Sequence, residues 1–254
     1  MHKKMYNRKV WFITGASNGV GLSLVKQLLV RGDQVAATTR TPQRLSEEVH
    51  SAVPTALMRN FLALQVDLTD ESAIAQSLAL VHQNFGRIDV VVNNAGYSLP
   101  GQMEELSPGE IHQCFAINTT ASLTVMYKAL PYFRQQHSGY ILNISSLAAC
   151  ATATDSCLYA ATKYATMGLS DLLAAEQNTH NIFVTVLAPA AFQSRLYAKE
   201  YDMWDNDTIR SSHQAATSLI HLAELPAPPP ILLIGDLNIT TNQKEANNEV
   251  QFIR

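Results

Sequence analysis

A short apolar run leads into a glycine-rich turn in Val10-Trp11-Phe12-Ile13-Thr14-Gly15-Ala16-Ser17-Asn18-Gly19-Val20-Gly21. Four consecutive apolar residues predict a buried strand. Leucine and valine then recur at helical spacing up to Arg31-Gly32, a typical helix C-terminus. Glycines let the backbone approach an anion and the N–H groups of a helix N-terminus bind it, so this order predicts a phosphate site. The spacing is Gly-x-x-x-Gly-x-Gly, and a glycine turn without a ligand remains an alternative.

The same alternation of apolar runs and amphipathic helices continues along the chain. Helix starts are marked by Pro42, by Asp70 as a capping residue, and by Ser107-Pro108-Gly109-Glu110. Further strands are predicted at Gln34–Thr39, Phe61–Val66, Ile88–Val92, Tyr140–Ile144, Ile182–Leu187 and Ile231–Ile234. Strands that alternate with helices predict an α/β fold: a single, doubly wound Rossmann domain over residues 1–254. Its central parallel sheet is expected to have seven strands, with helices on both faces.

Composition and charge exclude several classes of function. Of the 254 residues, 47% are hydrophobic and 15% charged, as in ordinary globular proteins, and the net charge is −3. The absence of a basic balance argues against nucleic acid as a partner. No apolar run reaches the ~18–20 residues that cross a bilayer, so no membrane association is expected. Cys114, Cys150 and Cys157 have no metal-ligand spacing, which predicts reduced thiols, no bound metal and a cytoplasmic location.

The end of the second predicted strand bears on the choice of cofactor. An acidic residue at this point would bond the adenosine ribose of NAD, but Thr39 and Arg40 stand there instead. An arginine neutralises a 2′-phosphate and can bind it with two parallel hydrogen bonds. We therefore predict a preference for NADP(H) over NAD(H). The alternative is a surface arginine at the turn before Pro42.

A tyrosine and a lysine four residues apart form the second chemical motif, in Leu158-Tyr159-Ala160-Ala161-Thr162-Lys163-Tyr164. The flanking residues predict a helix, on which Tyr159 and Lys163 project from one face. A free tyrosine has a pKa near ~10, and a cation within about 4–6 Å lowers it by roughly one to three units. Such a tyrosine can exchange a proton with a carbonyl or alcohol oxygen. By itself the pair is also common by chance on helix surfaces.

Small polar residues mark two further positions. Asn93-Asn94-Ala95-Gly96 follows the fourth strand, at the sheet edge where open parallel sheets bind ligands. Asn118 and Thr119 lie inside the helical pattern between Ser107 and Pro131 and interrupt it, because both are poor helix formers. The break is either a solvent-facing accident or a polar group needed inside the protein.

Taken together, these motifs resemble the classical short-chain dehydrogenase/reductase family over nearly all of residues 9–196. The resemblance implies a catalytic tetrad of Asn118, Ser146, Tyr159 and Lys163. Tyr159 would be the general acid/base, Lys163 would lower its pKa and bond the nicotinamide ribose, and Ser146 would orient the substrate oxygen. Ser145 is the alternative serine, although the family's spacing favours Ser146. Asn118 would hold a water that relays protons to Lys163.

The resemblance also implies a set of cofactor contacts. Asp67 would bond the adenine, and the segment after the sixth strand would touch the nicotinamide carboxamide. The implied cofactor-binding residues are Gly15, Ser17, Asn18, Gly19, Val20, Gly21, Arg40, Asp67, Leu68, Asn94, Ala95, Gly96, Tyr159, Lys163, Pro189 and Phe192.

Two departures from the family pattern lie near the C-terminus. Pro189-Ala190 replaces the usual Pro-Gly, and the substrate-lid segment, about residues 195–215, is short. A short lid predicts an open site for bulky or varied carbonyls. Tyr197, Tyr201, Met203 and Trp204 are expected either to line this lid or to lie in the core or a dimer contact. A polar tail is expected at about residues 238–254.

The sequence therefore predicts an NADP(H)-dependent oxidoreductase that transfers a hydride between nicotinamide and a small-molecule carbonyl or secondary alcohol. The broadly apolar helices that carry Asn118 and Tyr159 predict a homodimer or homotetramer, as the family pairs them across a two-fold axis. One alternative is a non-catalytic NADP(H)-binding redox sensor of the same fold. Another is a sugar-nucleotide epimerase or dehydratase of the extended branch, for which the C-terminal part is short.

Overall fold

The computed structural model describes residues 8–146, 157–189, 212–226, 228–229, 231–234 and 251–253. The strands are β1 Val10–Ile13, β2 Gln34–Thr39, β3 Phe61–Gln65, β4 Val90–Asn93, β5 Gly139–Ile144, β6 Ile182–Pro189, β7 Ile231–Ile234 and β8 Gln251–Ile253. The helices are α1 Gly19–Arg31, α2 Pro42–His50, α3 Glu71–Phe85, α4 Pro108–Phe115, α5 Ala121–Gln136, α6 Cys157–Gln177 and α7 Ser212–Leu222. None of the helices in these described ranges is long and apolar enough to cross a membrane.

All strand pairs in the sheet are parallel, in the order β3-β2-β1-β4-β5-β6-β7-β8. The order reverses beside β1, which pairs with β2 on one side and β4 on the other. This reversal opens a crevice at the carboxyl ends of the strands, where ligands bind in such folds. The predicted doubly wound α/β fold is confirmed. Within the described residues the sheet has eight strands, one more than the seven expected, because β8 forms within the tail that was predicted to be polar.

Two hydrophobic clusters cover the two faces of the sheet. Trp11 and Ile13 of β1 belong to the cluster beneath α1 and α7, and Val10 and Phe12 belong to the cluster beneath α3 and α5. Neighbouring residues of a strand point to opposite faces, so a strand with helices on both sides is apolar at every position. This is why the strands are visible in the sequence as continuous apolar runs.

Local capping fixes several helix ends as predicted. Asp70 accepts hydrogen bonds from the N–H groups of Ser72 and Ala73 and begins α3. Ser107 and Glu110 cap each other's backbone at the start of α4. Helix α2 ends at His50, and a 3₁₀ turn at Thr55–Asn60 then leads into β3.

The long helix predicted after Ser107 is divided in the structure. α4 is followed by a π-helical turn over Ala116–Thr120, and α5 then runs on through Pro131 to Gln136. A π-helical turn admits one extra residue and is common at functional sites. Asn118 lies in the middle of this turn.

Candidate active site

One cleft of about 710 Å³ lies at the carboxyl ends of β1 to β5, beside α6. It brings together thirteen of the residues that the sequence assigned to the cofactor and the chemistry. They are Gly15, Ser17, Asn18, Gly19, Val20, Arg40, Asp67, Leu68, Asn94, Ala95, Gly96, Tyr159 and Lys163. The glycine turn and the tyrosine–lysine pair therefore face the same space, although about 140 residues separate them in sequence.

The glycine turn is held by close packing that excludes larger side chains. Gly15 has φ +66°, and a Cβ there would lie 2.6 Å from the Cα of Ala95. A Cβ on Gly21 would lie 2.6 Å from Nδ2 of Asn94, which donates to the carbonyls of Thr14 at 3.0 Å and Gly15 at 2.9 Å. Gly21 thus contributes to the site by packing beneath the turn. The two loops form one unit.

The N-terminus of α1 opens onto the cleft. Asn18 precedes the helix in an extended conformation, and its side chain makes no capping hydrogen bond. The first turn of α1 holds no acidic residue that would repel an anion. A helix N-terminus with these properties suits a phosphate group.

Arg40 and Asp67 follow β2 and β3 at the other end of the cleft. Oδ1 of Asp67 accepts from the backbone N–H of Thr69 at 2.9 Å and from its hydroxyl at 2.7 Å. These two hydrogen bonds hold the pKa of the Asp67 carboxyl below its ordinary value, and the Arg40 guanidinium acts in the same direction. Arg40 is exposed, so its charge is available to a ligand at this end.

Tyr159 and Lys163 are both buried on one face of α6, with 3% and 4% of their surface exposed. Nζ of Lys163 lies 5.6 Å from the centre of the Tyr159 ring and donates to the carbonyl of Ile144 at 2.8 Å. Burial lowers the pKa of Lys163 to about 8. The geometry keeps an ammonium beside a phenol at the bottom of the cleft.

Asn118 is buried behind the cleft rather than facing solvent, which decides between the two explanations of the helix break. Its carboxamide pairs with the backbone of Tyr97, accepting from N–H at 2.9 Å and donating to the carbonyl at 2.9 Å. Nδ2 also donates to Oγ1 of Thr162 at 3.1 Å. The side chain therefore connects the segment after β4 to the helix that carries Tyr159.

Two serines follow β5. Ser145 lines the cleft, its N–H donates to the carbonyl of Leu187 at 2.7 Å, and its hydroxyl is 3.5 Å from the carbonyl of Lys163. Ser146 is buried and is not among the residues that line the cleft. Residues 147–156, which follow these serines, lie outside the described part of the chain.

The last two predicted contacts lie after β6. Pro189 ends that strand, paired with Ile234 of β7. Phe192, Ala190, the lid segment up to residue 211 and Cys150 lie outside the described residues.

Several lining residues escaped the sequence prediction. Tyr97, Gln113 and Ile117 form part of the wall, and burial raises the pKa of the Tyr97 phenol, which keeps it a neutral donor. The remaining ones are Thr38, Thr39, Val66, Thr69 and Ile144. Most of them border a predicted strand end, so their position in the chain was the only sign that they would line the cleft. Gln113 and Ile117 are four apart on the segment that leads to Asn118, a weaker signal of a shared face. Ser145, which the sequence indicated as the alternative to Ser146, also lines the cleft.

Comparison with known proteins identifies the family. A family model described as short chain dehydrogenase matches residues 9–204. The chain belongs to this family. Oxidoreductase BOA17 of Botryotinia fuckeliana is 36% identical to this short-chain dehydrogenase over 186 residues, 73% of this chain and 66% of that protein. An uncharacterized oxidoreductase of Schizosaccharomyces pombe is 30% identical over 254 residues, 92% of this chain and 84% of its own.

Solved structures agree with the fold. A short-chain dehydrogenase from Streptomyces avermitilis has a TM-score of 0.80 at 28% identity and covers 90% of this chain and 89% of its own. The structure of ElxO with NADP bound has the same TM-score at 26% identity, and the match covers 90% of this chain and 97% of ElxO. This short-chain dehydrogenase is an oxidoreductase of a family that binds nicotinamide cofactors and acts on small molecules.

Proposed function

We propose that this short-chain dehydrogenase transfers a hydride between NADP(H) and a carbonyl or secondary alcohol, with Tyr159 as the general acid/base. The observation that carries the proposal is the cleft shared by the glycine turn and the buried Tyr159–Lys163 pair. A site for a dinucleotide and a proton-transfer group at one sheet edge is what this reaction requires.

The residues of the cleft fit a nicotinamide dinucleotide. Gly15 to Val20 and the N-terminus of α1 would hold the pyrophosphate, and Asp67 with Leu68 would contact the adenine. Asn94, Ala95, Gly96, Pro189 and Phe192 would border the nicotinamide half. When bound, the nicotinamide supplies or accepts the hydride.

The side chains around the reacting oxygen would manage the proton. Tyr159 donates a proton to the carbonyl oxygen during reduction and removes it from the alcohol during oxidation. The Lys163 ammonium favours the phenolate that this exchange requires. Ser146 would orient the substrate oxygen, and Asn118 would hold a water that leads protons to Lys163.

Arg40 supports a preference for NADP(H), since it places an exposed positive charge where NAD enzymes carry an acid. The NADP bound to ElxO supports the same assignment. We expect Arg40→Asp to raise the KM for NADPH by about 10-fold or more, because a 2′-phosphate loses its charged partner and meets a carboxylate. The KM for NADH should change little or fall. An unchanged ratio of the two KM values would contradict the assignment.

The reaction itself is tested with a panel of ketones, quinones and steroids, followed by the absorbance of NADPH. Turnover of at least one class supports the proposed function. NADPH binding without turnover on any of them would favour the redox sensor instead. The sensor has little support from the site, since a protein that only binds NADP(H) has no need of a buried tyrosine–lysine pair.

The oligomeric state and the cellular location are part of the same proposal. We expect a homodimer or homotetramer in the cytoplasm, with a small-molecule carbonyl or alcohol as the substrate. The helices expected at the interface, α4, α5 and α6, carry several exposed large apolar side chains.

A further inference from the structure

We propose that Thr162 is a positioning residue for the proton-transfer pair, because its hydroxyl ties Asn118 to the helical turn that begins at Tyr159. The inference rests on the proposed function, since it concerns the geometry of the general acid/base. Thr162 is fully buried and does not line the cleft. Its side chain therefore acts through its neighbours rather than on a substrate.

The Thr162 hydroxyl makes one accepted and one donated hydrogen bond to groups of the site. It accepts a hydrogen bond from Nδ2 of Asn118 at 3.1 Å and donates to the carbonyl of Tyr159 at 2.7 Å. A hydroxyl has a single proton, so donation to Tyr159 fixes its direction and leaves its lone pairs for Asn118. The position of the Tyr159 backbone is thereby linked to the orientation of the Asn118 carboxamide.

The link continues into the wall of the cleft. The same carboxamide binds both polar groups of the Tyr97 backbone, at 2.9 Å each. The chain of contacts runs from Tyr97 through Asn118 and Thr162 to Tyr159, across three separate elements. Thr119 adds a parallel bond, from its hydroxyl to the carbonyl of Thr162 at 3.0 Å.

Cys114 is a poor substitute for the Thr162 hydroxyl. Sγ of Cys114 lies 3.5 Å from Nδ2 of Asn118, and burial raises the pKa of this thiol, so it offers only a weak, neutral acceptor. Asn118 itself is almost fully buried, which limits replacement by water. Loss of the hydroxyl should let the carboxamide and the first turn of α6 shift apart, and sub-ångström shifts of catalytic groups are costly.

The test compares Thr162→Val with a matched control, Thr185→Val. Thr185 is equally buried, and its hydroxyl also has two partners, the Tyr140 hydroxyl at 2.9 Å and the carbonyl of Pro229 at 2.7 Å. Thr185 lies on β6 and does not line the cleft. Both variants remove the same kind of buried hydroxyl and should lower the melting temperature by similar amounts.

The first readout is the ionisation of the Tyr159 phenol in the free protein, without any substrate. It is measured by ultraviolet difference titration of each protein against the same protein that also carries Tyr159→Phe. We expect Thr162→Val to raise the midpoint by about 0.5–1 pH unit, because the phenol moves away from the Lys163 ammonium. Thr162→Ser, which keeps the hydroxyl, and Thr185→Val should leave the midpoint at the wild-type value.

The second readout is turnover of a carbonyl from the panel. Thr162→Val should lower kcat by roughly 10- to 100-fold with an unchanged Kd for NADPH, and Thr162→Ser should restore most of it. If the valine variant does not fold, Thr162→Ala takes its place in both measurements. It should raise the midpoint and lower kcat, each by a smaller amount.

The inference is overturned if Thr162→Val, or the alanine variant, keeps the wild-type midpoint and kcat and loses only stability, as Thr185→Val does. Failure of the proposed function is distinguishable. In that case wild-type protein shows no turnover or no NADPH binding, while the titration of the free protein still reports whether Thr162 positions the phenol.

Discussion

At the residue scale, Lys163 opposes the stability of the fold. Burial lowers its pKa from 10.5 to about 8, so the folded protein holds the ammonium less readily than the unfolded chain does. Between these two values the unfolded state binds more protons, and the contribution of Lys163 to stability rises with pH. Below about pH 8 the folded protein carries the full cost of a buried charge.

We therefore expect Lys163→Met to stabilise the protein at pH 7 while abolishing turnover. The pKa difference corresponds to about 3 kcal/mol, from which the lost bond to the Ile144 carbonyl removes about 1 kcal/mol or more. The expected gain is thus about 1–2 kcal/mol in the free energy of unfolding by urea. It should disappear at pH 11, where lysine is neutral in both states. A variant that is destabilised equally at both pH values would contradict the lowered pKa.

At the element scale, the glycine turn and the Asn94–Gly96 segment depend on close contact between two loops. The sequence alone predicted the turn, the strand ends and most helix caps, because these follow from local patterns. Ser107 with Glu110, and Asp70, needed only their neighbours in the chain to be recognised.

Contacts between elements escaped prediction for the opposite reason. Periodicity showed a polar break at Asn118 but could not say whether its side chain faces solvent or the interior, because either position interrupts the apolar pattern in the same way. Likewise, nothing in the sequence indicated that Asn118 bonds both the Thr162 hydroxyl and the backbone of Tyr97. The strand β8 was missed because three residues after a long polar stretch give too short a signal.

The contact between Gly15 and Ala95 can be tested by mutation, and Gly86 offers a control position in the same protein. Gly15→Ala should weaken NADPH binding by more than about 10-fold, because the new Cβ collides with the Ala95 backbone and moves the turn. Gly86 has a similar φ of +78°, but a Cβ there meets nothing within 4 Å. Gly86→Ala should cost only about 1 kcal/mol of stability and leave NADPH affinity unchanged. Equal effects of the two variants on affinity would disprove the role of the contact.

At the scale of the whole molecule, three adjoining helices expose several large apolar side chains. Helices α4 and α5 each pack against α6. Exposed on them are Phe115, Leu123, Tyr127, Tyr164 and Leu172. Exposed apolar side chains on adjoining helices suggest a protein partner, and a second copy of this chain is the expected one.

This expectation is tested by light scattering after size exclusion. Wild-type protein should run as a dimer or tetramer, and Leu172→Glu should shift it towards the monomer, since it buries a charge in the interface. Val30→Glu on α1 is the control, because Val30 is similarly exposed but lies on another helix. A monomeric wild type, or equal behaviour of the two variants, would contradict the interface.

The most direct test of the account is the effect of Tyr159→Phe on binding and turnover together. The variant keeps the ring packed in the cleft but removes the proton that the mechanism requires. We expect NADPH to bind with an unchanged Kd, while NADPH oxidation by the best carbonyl of the panel falls by about 10²–10⁴-fold. Turnover by the variant at a rate close to that of the wild type would contradict the assignment of Tyr159 as the general acid/base.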